Sequence, residues 1–391
     1  MRAFLLLLAL VALLVTFDPS RVTIQTLVLL PSLLDVGPRP LDWFSGAPTR
    51  MTLHYREPSG DASSEDDAAR AAGDLADLWI PAGARPDHRM GAMLLVFGVN
   101  NLGRSHPDIE RVADALARTG VVVVVPDSAT LLSGRLDVTE IDGVVRAFEL
   151  LAERPEVDPA RIGIIGFSVG GSLALIAAAD ERIAGDVRYV NAFGAYADAR
   201  TYLASVAAHA FEVDGRTQPW QPSALTLEVC ARFLLDQVHD AEDLALLAAA
   251  YREPLLAGDA LEPDARLAAR LGRDGRRVYD VITAQSFEAA RAAVDRLPAS
   301  AVGFLDAISP SQRAAGIGAD VYLMHDLADH HVPYVESRIL AGEFRPAGRL
   351  ARHTEFRLFD HVQPEDIDVM AAAPELWKLL WHVQAVMVET L

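Results

Sequence analysis

The sequence predicts an α/β protein built on a doubly wound, mostly parallel sheet, with a helical insertion and a hydrophobic N-terminal segment. Three observations carry that expectation. From about Thr49 onward, short apolar runs of strand length alternate with segments of helical periodicity, the pattern of parallel strands joined by crossover helices. One of those runs ends in a serine bracketed by glycines. Residues 197–311 then break the rhythm with helical spacing alone.

The first segment, 1–48, is apolar. Arg2 precedes FLLLLALVALLVTF at residues 4–17, which is shorter than the roughly 20 apolar residues of a spanning helix. Asp18, Pro19, Ser20 and Arg21 follow and offer no small-residue cleavage site. A second apolar stretch, 22–36, is interrupted by Gln25 and Pro31. The expectation is a membrane-associated segment, read first as an uncleaved signal anchor. A cleaved signal, a membrane-dipping hairpin and a buried helix packed on the domain are the other readings. Arg2 and the terminal amine would hold the start in the cytoplasm, leaving the catalytic domain outside it.

The first part of the core is expected over 49–196. Residues 51–57 and 74–83 read as strands joined by a polar, acidic turn, and 93–98 as a buried strand. A helical pattern over 108–119 is closed by Gly120. Five valines and a proline at 121–126 make an interior strand, and 138–153 a helix. Ile162, Ile164 and Ile165 form the next strand, running into Gly166, Phe167, Ser168, Val169 and Gly170, after which SLALIAAA reads as a helix. A strand over 187–193 completes this part. The insertion, 197–311, shows helical spacing and no strand-like run, and is expected to act either as a lid over the sheet or as a packing subdomain without a gating role. The second part of the core, 312–391, carries strands at 321–324 and 355–359 and a final helix opened by Pro374.

Composition narrows the function. The chain has 391 residues, 51% of them hydrophobic, enough to bury a full core. Its formal charge of −19, from 35 basic and 54 acidic side chains, argues against nucleic acid as a partner. The acidic residues are scattered apart from a short run at 61–67 and read as a solvated surface. Cys230 is the only cysteine, which rules out an internal disulfide. No C-x-x-C or H-E-x-x-H motif is present, so no metal site is suggested and no cofactor is implied.

The chemistry centres on Ser168. Gly166 to Gly170 match G-x-S-x-G in the strand–turn–helix context that this motif needs, because the nucleophile must sit in a tight turn between small residues. A serine hydroxyl is a weak nucleophile and needs a base, and an acid to orient that base. In sheets of this type the acid and then the histidine follow the serine in the chain. Asp329, just past the strand at 321–324, and His361, just past that at 355–359, fit this order and fall on the same rim of the sheet. Asp326 is a rival acid. The amide of Val169, and that of Val99 in the loop FGVNN, are candidate oxyanion donors. His106, Asn100, Asn101 and Arg104 either line a pocket or cap the following helix. His325, His330 and His331 read as structural or solvated, His353 and His382 as incidental, and Trp220, Trp377 and Trp381 as packing residues. Cys230 reads as a small buried hydrophobe.

These residues resemble the α/β-hydrolases, in particular the dienelactone hydrolase-like and prolyl oligopeptidase-like branches. DLADLWIPAG followed by MLLVFG resembles the entry to that fold, GFSVGG its nucleophile turn, and HDLADHHVP its H-G-x-x-D-x-x-V-P acid loop. The resemblance covers roughly 51–194 and 317–391 and leaves out the insertion and the N-terminal segment. It implies Ser168 as nucleophile, Asp329 as acid and His361 as base. Phe97 stands where those branches often carry histidine, and Asp326 replaces the glycine of the acid loop.

The expected activity is therefore that of a serine hydrolase cleaving carboxylic esters through an acyl-enzyme, on a small-molecule substrate that the apolar insertion and N-terminus suggest is lipid-like. A peptidase, a thioesterase or acyltransferase, and a non-catalytic membrane-anchored scaffold are the alternatives. Oligomeric state is left open.

Overall fold

The computed structural model describes residues 18–55, 75–257, 261–364 and 372–391. In chain order the strands are β1 (Thr49–His54), β2 (Leu75–Ile80), β3 (Met90–Val96), β4 (Val122–Pro126), β5 (Val157–Phe167) and β6 (Tyr189–Phe193), then β7 (Ala210–Val213), β8 (Arg216–Pro219), β9 (Asp320–Asp326), β10 (Leu350–Phe356), β11 (Phe359–Asp360) and β12 (Gln363–Pro364). Eight of them form one sheet in the order β1-β2-β4-β3-β5-β6-β9-β10. β2 is antiparallel to both of its neighbours, and every pairing from β4 through β10 is parallel. The doubly wound sheet expected from the alternation is thus present.

Side-chain alternation along the strands sends two sets of apolar residues to opposite faces. Val123, Val125, Met93, Leu95 and Ile165 belong to one core cluster. Val122, Val124, Leu94, Ile162 and Ile164 belong to the other. The first face is covered by α1 (Asp18–Leu33), α2 (Pro107–Arg118) and, after the last strand, the C-terminal helix Ala373–Thr390. The second is covered by α3 (Thr139–Ala152), α4 (Val169–Ala177) and the insertion. His106 caps α2: its Nδ1 accepts the amide of Asp108, and Pro107 occupies the first turn, where its missing N–H costs nothing.

The insertion comprises α5 (Ala199–Ala208), the β7–β8 hairpin, α6 (Ala224–Asp236), α7 (Ala241–Ala257), α8 (Arg273–Ile282), α9 (Phe287–Val294) and α10 (Ala299–Ala307). The chain then continues through β9, α11 (Val335–Phe344), β10 and α12 (Ala373–Thr390). The hairpin corrects the expectation that 197–311 holds no strand. Its turn is Asp214-Gly215, with φ of 51° and 69°, the left-handed pair that a two-residue hairpin demands and that Asp-Gly signals in sequence. The strand expected at 355–359 lies instead at Leu350–Phe356. It is the sheet edge, so its outward residues are polar, and the apolar Leu358 and Phe359 fall beyond it, Phe359 opening β11.

Residues 22–36 pack on the domain, as the buried-helix reading expects for this stretch. They continue α1 and its C-terminal turn, with Val22 and Leu29 in the core beside α2 and Leu30 and Leu34 beside α12. Gln25 Nε2 donates to Thr119 O at 3.2 Å, and Arg111 donates to the carbonyls of Ser32 and Leu33. Among the described residues no helix is long and apolar enough to cross a membrane. The apolar run at 4–17 lies outside the described residues, as does most of the acidic turn between β1 and β2.

Candidate active site

Ser168 stands between β5 and α4 with φ 56° and ψ −135°. A residue with a Cβ rarely adopts that conformation, and its neighbours hold it there. The Ser168 amide donates to Phe193 O at 2.7 Å, and its carbonyl accepts from Gly171 N at 2.8 Å. Space around the turn requires the glycines. A Cβ on Gly170 would lie 2.4 Å from Val96 O, and one on Gly166 2.4 Å from the Cα of Gly171. A Cβ on Gly98 would lie 2.9 Å from that of Ser168, so the loop after β3 passes directly beside the serine. Val169 opens α4, so its N–H has no intrahelical acceptor. The Val99 N–H likewise has no backbone acceptor among the described residues. Asn100 braces this loop, donating to Gly98 O at 3.3 Å and accepting from Leu102 N at 3.1 Å. Arg104 turns away from the cavity into a buried ion network with Asp127 and Asp77.

Asp329 and His361 are brought together. His361 Nδ1 lies 2.6 Å from Asp329 Oδ2, and both side chains are buried. The second carboxylate oxygen, Oδ1, accepts the amides of His331 at 2.6 Å and Val332 at 2.9 Å. His325 lies beneath, its Nε2 2.9 Å from Val332 O and 3.2 Å from Asp329 Oδ2. Because a carbonyl can only accept, that nitrogen carries the proton. Burial alone would raise the Asp329 carboxyl, but its contacts with the imidazoles of His361 and His325 outweigh it and hold the group well below the usual carboxylate range. Asp329 is thus charged and shaped to hold an imidazole with Nδ1 protonated.

His361 has φ 61°, and Gly194 (φ 66°) passes so close that a Cβ there would lie 2.8 Å from His361 Cε1. The other ring nitrogen, Nε2, is buried and has no hydrogen-bond partner among the described residues. Ser168 Oγ is therefore not bonded to it in this structure, although both residues line one cavity of about 350 Å³. Serine–histidine contacts often tighten only when substrate binds.

Asp326 does a different job from Asp329. It is fully buried, and its carboxylate accepts the amides of Ala328 at 2.8 Å, Leu358 at 2.7 Å and Phe359 at 3.0 Å. It ties the acid loop to the loop carrying His361. His331, read from sequence as structural or solvated, stacks on His361 with ring centroids 4.6 Å apart and places Nδ1 3.0 Å from Ser223 Oγ. Trp220 is more than packing: its Nε1 donates to Asp329 O at 2.8 Å. Ser223 N donates to His330 O and Thr226 Oγ1 to His331 O, at 2.7 and 3.2 Å. A segment of the insertion therefore grips the acid loop. His382 is not incidental either, bonding Thr354 and Asn191 at 2.8 Å each in the core. Among the described residues no cluster has the make-up of a metal site.

Comparisons with known proteins agree with this architecture. Residues 141–200, which span α3, β5, the serine turn and β6, match the family model of acetyl xylan esterase. Among solved structures, a dipeptidyl aminopeptidase IV-type protein of Bacteroides ovatus superposes with a TM-score of 0.50 at 14% identity, covering 90% of this chain and 37% of that one. An acylaminoacyl peptidase of Pyrococcus horikoshii gives 0.47 at 12%, covering 89% and 42%. The dipeptidyl peptidase 4 of Porphyromonas gingivalis gives 0.46 at 13%, covering 86% and 36%. The chain thus spans well under half the length of these proteins. Among curated protein sequences, none matches this chain. The sheet order, the serine turn between β5 and α4, and the superposition on the Bacteroides ovatus structure give this chain the α/β-hydrolase fold.

Proposed function

We propose that the chain is a serine hydrolase acting on carboxylic esters, with Ser168 as nucleophile, His361 as general base and Asp329 as the group that orients it. The observation that carries this reading is the state of His361. Its Nδ1 is committed to a charged, buried aspartate, while its Nε2 is buried, unpartnered and in the same cavity as a serine in a strained turn. An unpaired buried nitrogen is costly unless a substrate-dependent partner arrives.

In the proposed reaction Ser168 Oγ attacks the ester carbonyl carbon, and His361 Nε2 takes the hydroxyl proton. The tetrahedral oxyanion is held by the amides of Val99 and Val169. Collapse breaks the carbon–oxygen bond, and the leaving alcohol departs with the proton from Nε2. A water then attacks the acyl-serine and gives one proton to His361. The acid is released, and that proton returns to Ser168. Ester over amide is favoured by the apolar walls of the cavity and by the match of 141–200 to an esterase family model.

The test is fluorophosphonate labelling of the wild type and of Ser168→Ala, alongside hydrolysis of nitrophenyl esters and aminoacyl nitroanilides. Labelling lost in the variant, with esters turned over and anilides left intact, is the expected result. Anilide turnover at comparable kcat/KM would move the assignment to a peptidase. Folded wild-type protein that neither labels nor turns over any substrate would leave a non-catalytic scaffold.

A further inference from the structure

The cavity at Ser168 has two arms of different character. One lies under the insertion, beside Tyr202, Leu225, Thr226 and Val229. The other leaves the serine past Phe97 and Phe167, whose rings stack in parallel with centroids 4.8 Å apart, and follows the sheet down to Met93 and Met387. It runs between the sheet and the three helices α1, α2 and α12. Met93, Leu95 and Met387 have at most 1% of their surface exposed, so the deep part of this arm is buried.

We propose that this second arm binds the acyl chain of the substrate, an unbranched aliphatic chain of medium length. The inference rests on the ester-hydrolase reading above and adds the part of the substrate that reading leaves open. Protein interiors are normally packed to crystal density, and an apolar void facing a reactive serine has a cost that an apolar ligand removes. The arm has the right length. Phe97 and Met93 lie four residues apart along one sheet face, about 13 Å, which matches an extended chain of about ten carbons.

It also has the right chemistry. Along β3 and β5 the residues facing the arm are Met93, Leu95, Phe97, Ile165 and Phe167. The polar side chains on its wall are paired, including the charged Arg111 and Asp108 of α2, which meet at 2.6 Å. His382 Nε2 meets Asn191 Oδ1, and its Nδ1 meets Thr354 Oγ1. Burial pushes the His382 imidazole down to about 3, so it is neutral across the working range. Leu33 and Leu34, at the end of α1, complete the wall, and Arg111 holds them there through Leu33 O at 3.0 Å.

The acyl half is assigned here for a kinetic reason. A closed arm suits the half of the ester that stays bonded to Ser168 after the first step. The alcohol must leave before water attacks, and the arm under the insertion, where Leu225 is 41% exposed, suits a group that departs.

The test compares kcat/KM for nitrophenyl decanoate and nitrophenyl butyrate in the wild type and in Val383→Phe, whose larger side chain intrudes into the arm from α12. The wild type should prefer decanoate at least tenfold, and the variant should lose at least tenfold of that ratio. Decyl acetate, with the long chain on the alcohol, should show no matching loss. An unchanged decanoate-to-butyrate ratio would overturn the proposal, and a loss confined to decyl acetate would overturn the acyl assignment. Independently of any variant, the crystal structure of the wild-type adduct with a decyl fluorophosphonate should place the chain beside Met93 and Met387. A chain emerging beside Leu225 and Val229 would sink the inference while leaving the hydrolase reading intact. No adduct and no ester turnover would remove the hydrolase reading itself.

Discussion

At the residue scale, two aspartates three positions apart carry different duties that sequence could only rank. Asp329 meets His361 through a buried 2.6 Å contact, whereas Asp326 spends its carboxylate on three backbone amides. Replacing Asp329 with Asn should leave the fold intact yet disfavour the Nδ1-protonated imidazole, lowering kcat by about 10⁴. Ester kinetics with thermal melting separates that effect from unfolding. Asp326→Ala should instead lower stability by about 1–3 kcal/mol, because buried amides lose their acceptor. A melting temperature unchanged by Asp326→Ala would show that the tie between the two loops is dispensable. The serine was legible because its constraints are local: the strand, the glycines and the helix start lie in one short stretch. The stack of His331 on His361 was not legible, since it depends on where a loop folds back after β10. Nor was the acyl-chain arm, because its wall is assembled from residues far apart in the chain, Leu33 and Leu34, Met93 to Phe97, and Val383 to Met387.

At the element scale, the insertion and the acid loop act on one another. Trp220, Ser223 and Thr226 hold residues 329–331 from one side. From the other side, Glu336 on α11 accepts the amides of Ala197 at 2.8 Å and Asp198 at 3.4 Å, where the insertion leaves the sheet. Glu336 is fully buried, and its other oxygen has no partner among the described residues. Burial raises its carboxyl to about 7 despite those two amides. An acid whose pKa is raised on folding contributes stability that is complete below its unfolded value and is lost as pH rises through the folded one. The fall therefore runs from about 4.5 to about 7 and amounts to about 3 kcal/mol. Urea unfolding across this range should show that decline in the wild type and a flatter profile in Glu336→Gln. Parallel profiles would assign the decline to other groups. The β7–β8 hairpin in the same insertion shows where sequence reading failed and why. Helical spacing dominates 197–311, and a four-residue alternation is too short to stand out, but Asp214-Gly215 carried the turn signal.

At the scale of the whole molecule, the first and last helices form a layer that a two-part hydrolase core with a lid does not anticipate. α1 turns Val22, Leu29, Leu30 and Leu34 toward the sheet and α12, and gives up its carbonyls at Ser32 and Leu33 to Arg111. A helix that buries its apolar side in this way has little left to offer a lipid bilayer. If the chain is held at a membrane, we propose that the apolar run at 4–17 holds it, since Asp18 already begins a helix docked on the domain. Deleting residues 2–17 should therefore release the protein from the membrane fraction after carbonate extraction, with ester turnover retained. Removing residues 18–34 as well should do something different. It would strip one wall from the cavity and expose the sheet face around Leu95 and Ile165, so both melting temperature and the preference for long acyl chains should fall together. Retention of the shorter deletion in the membrane fraction would move the attachment to the folded domain. Its exposed Trp43, Phe44 and Trp377 are then the side chains to replace.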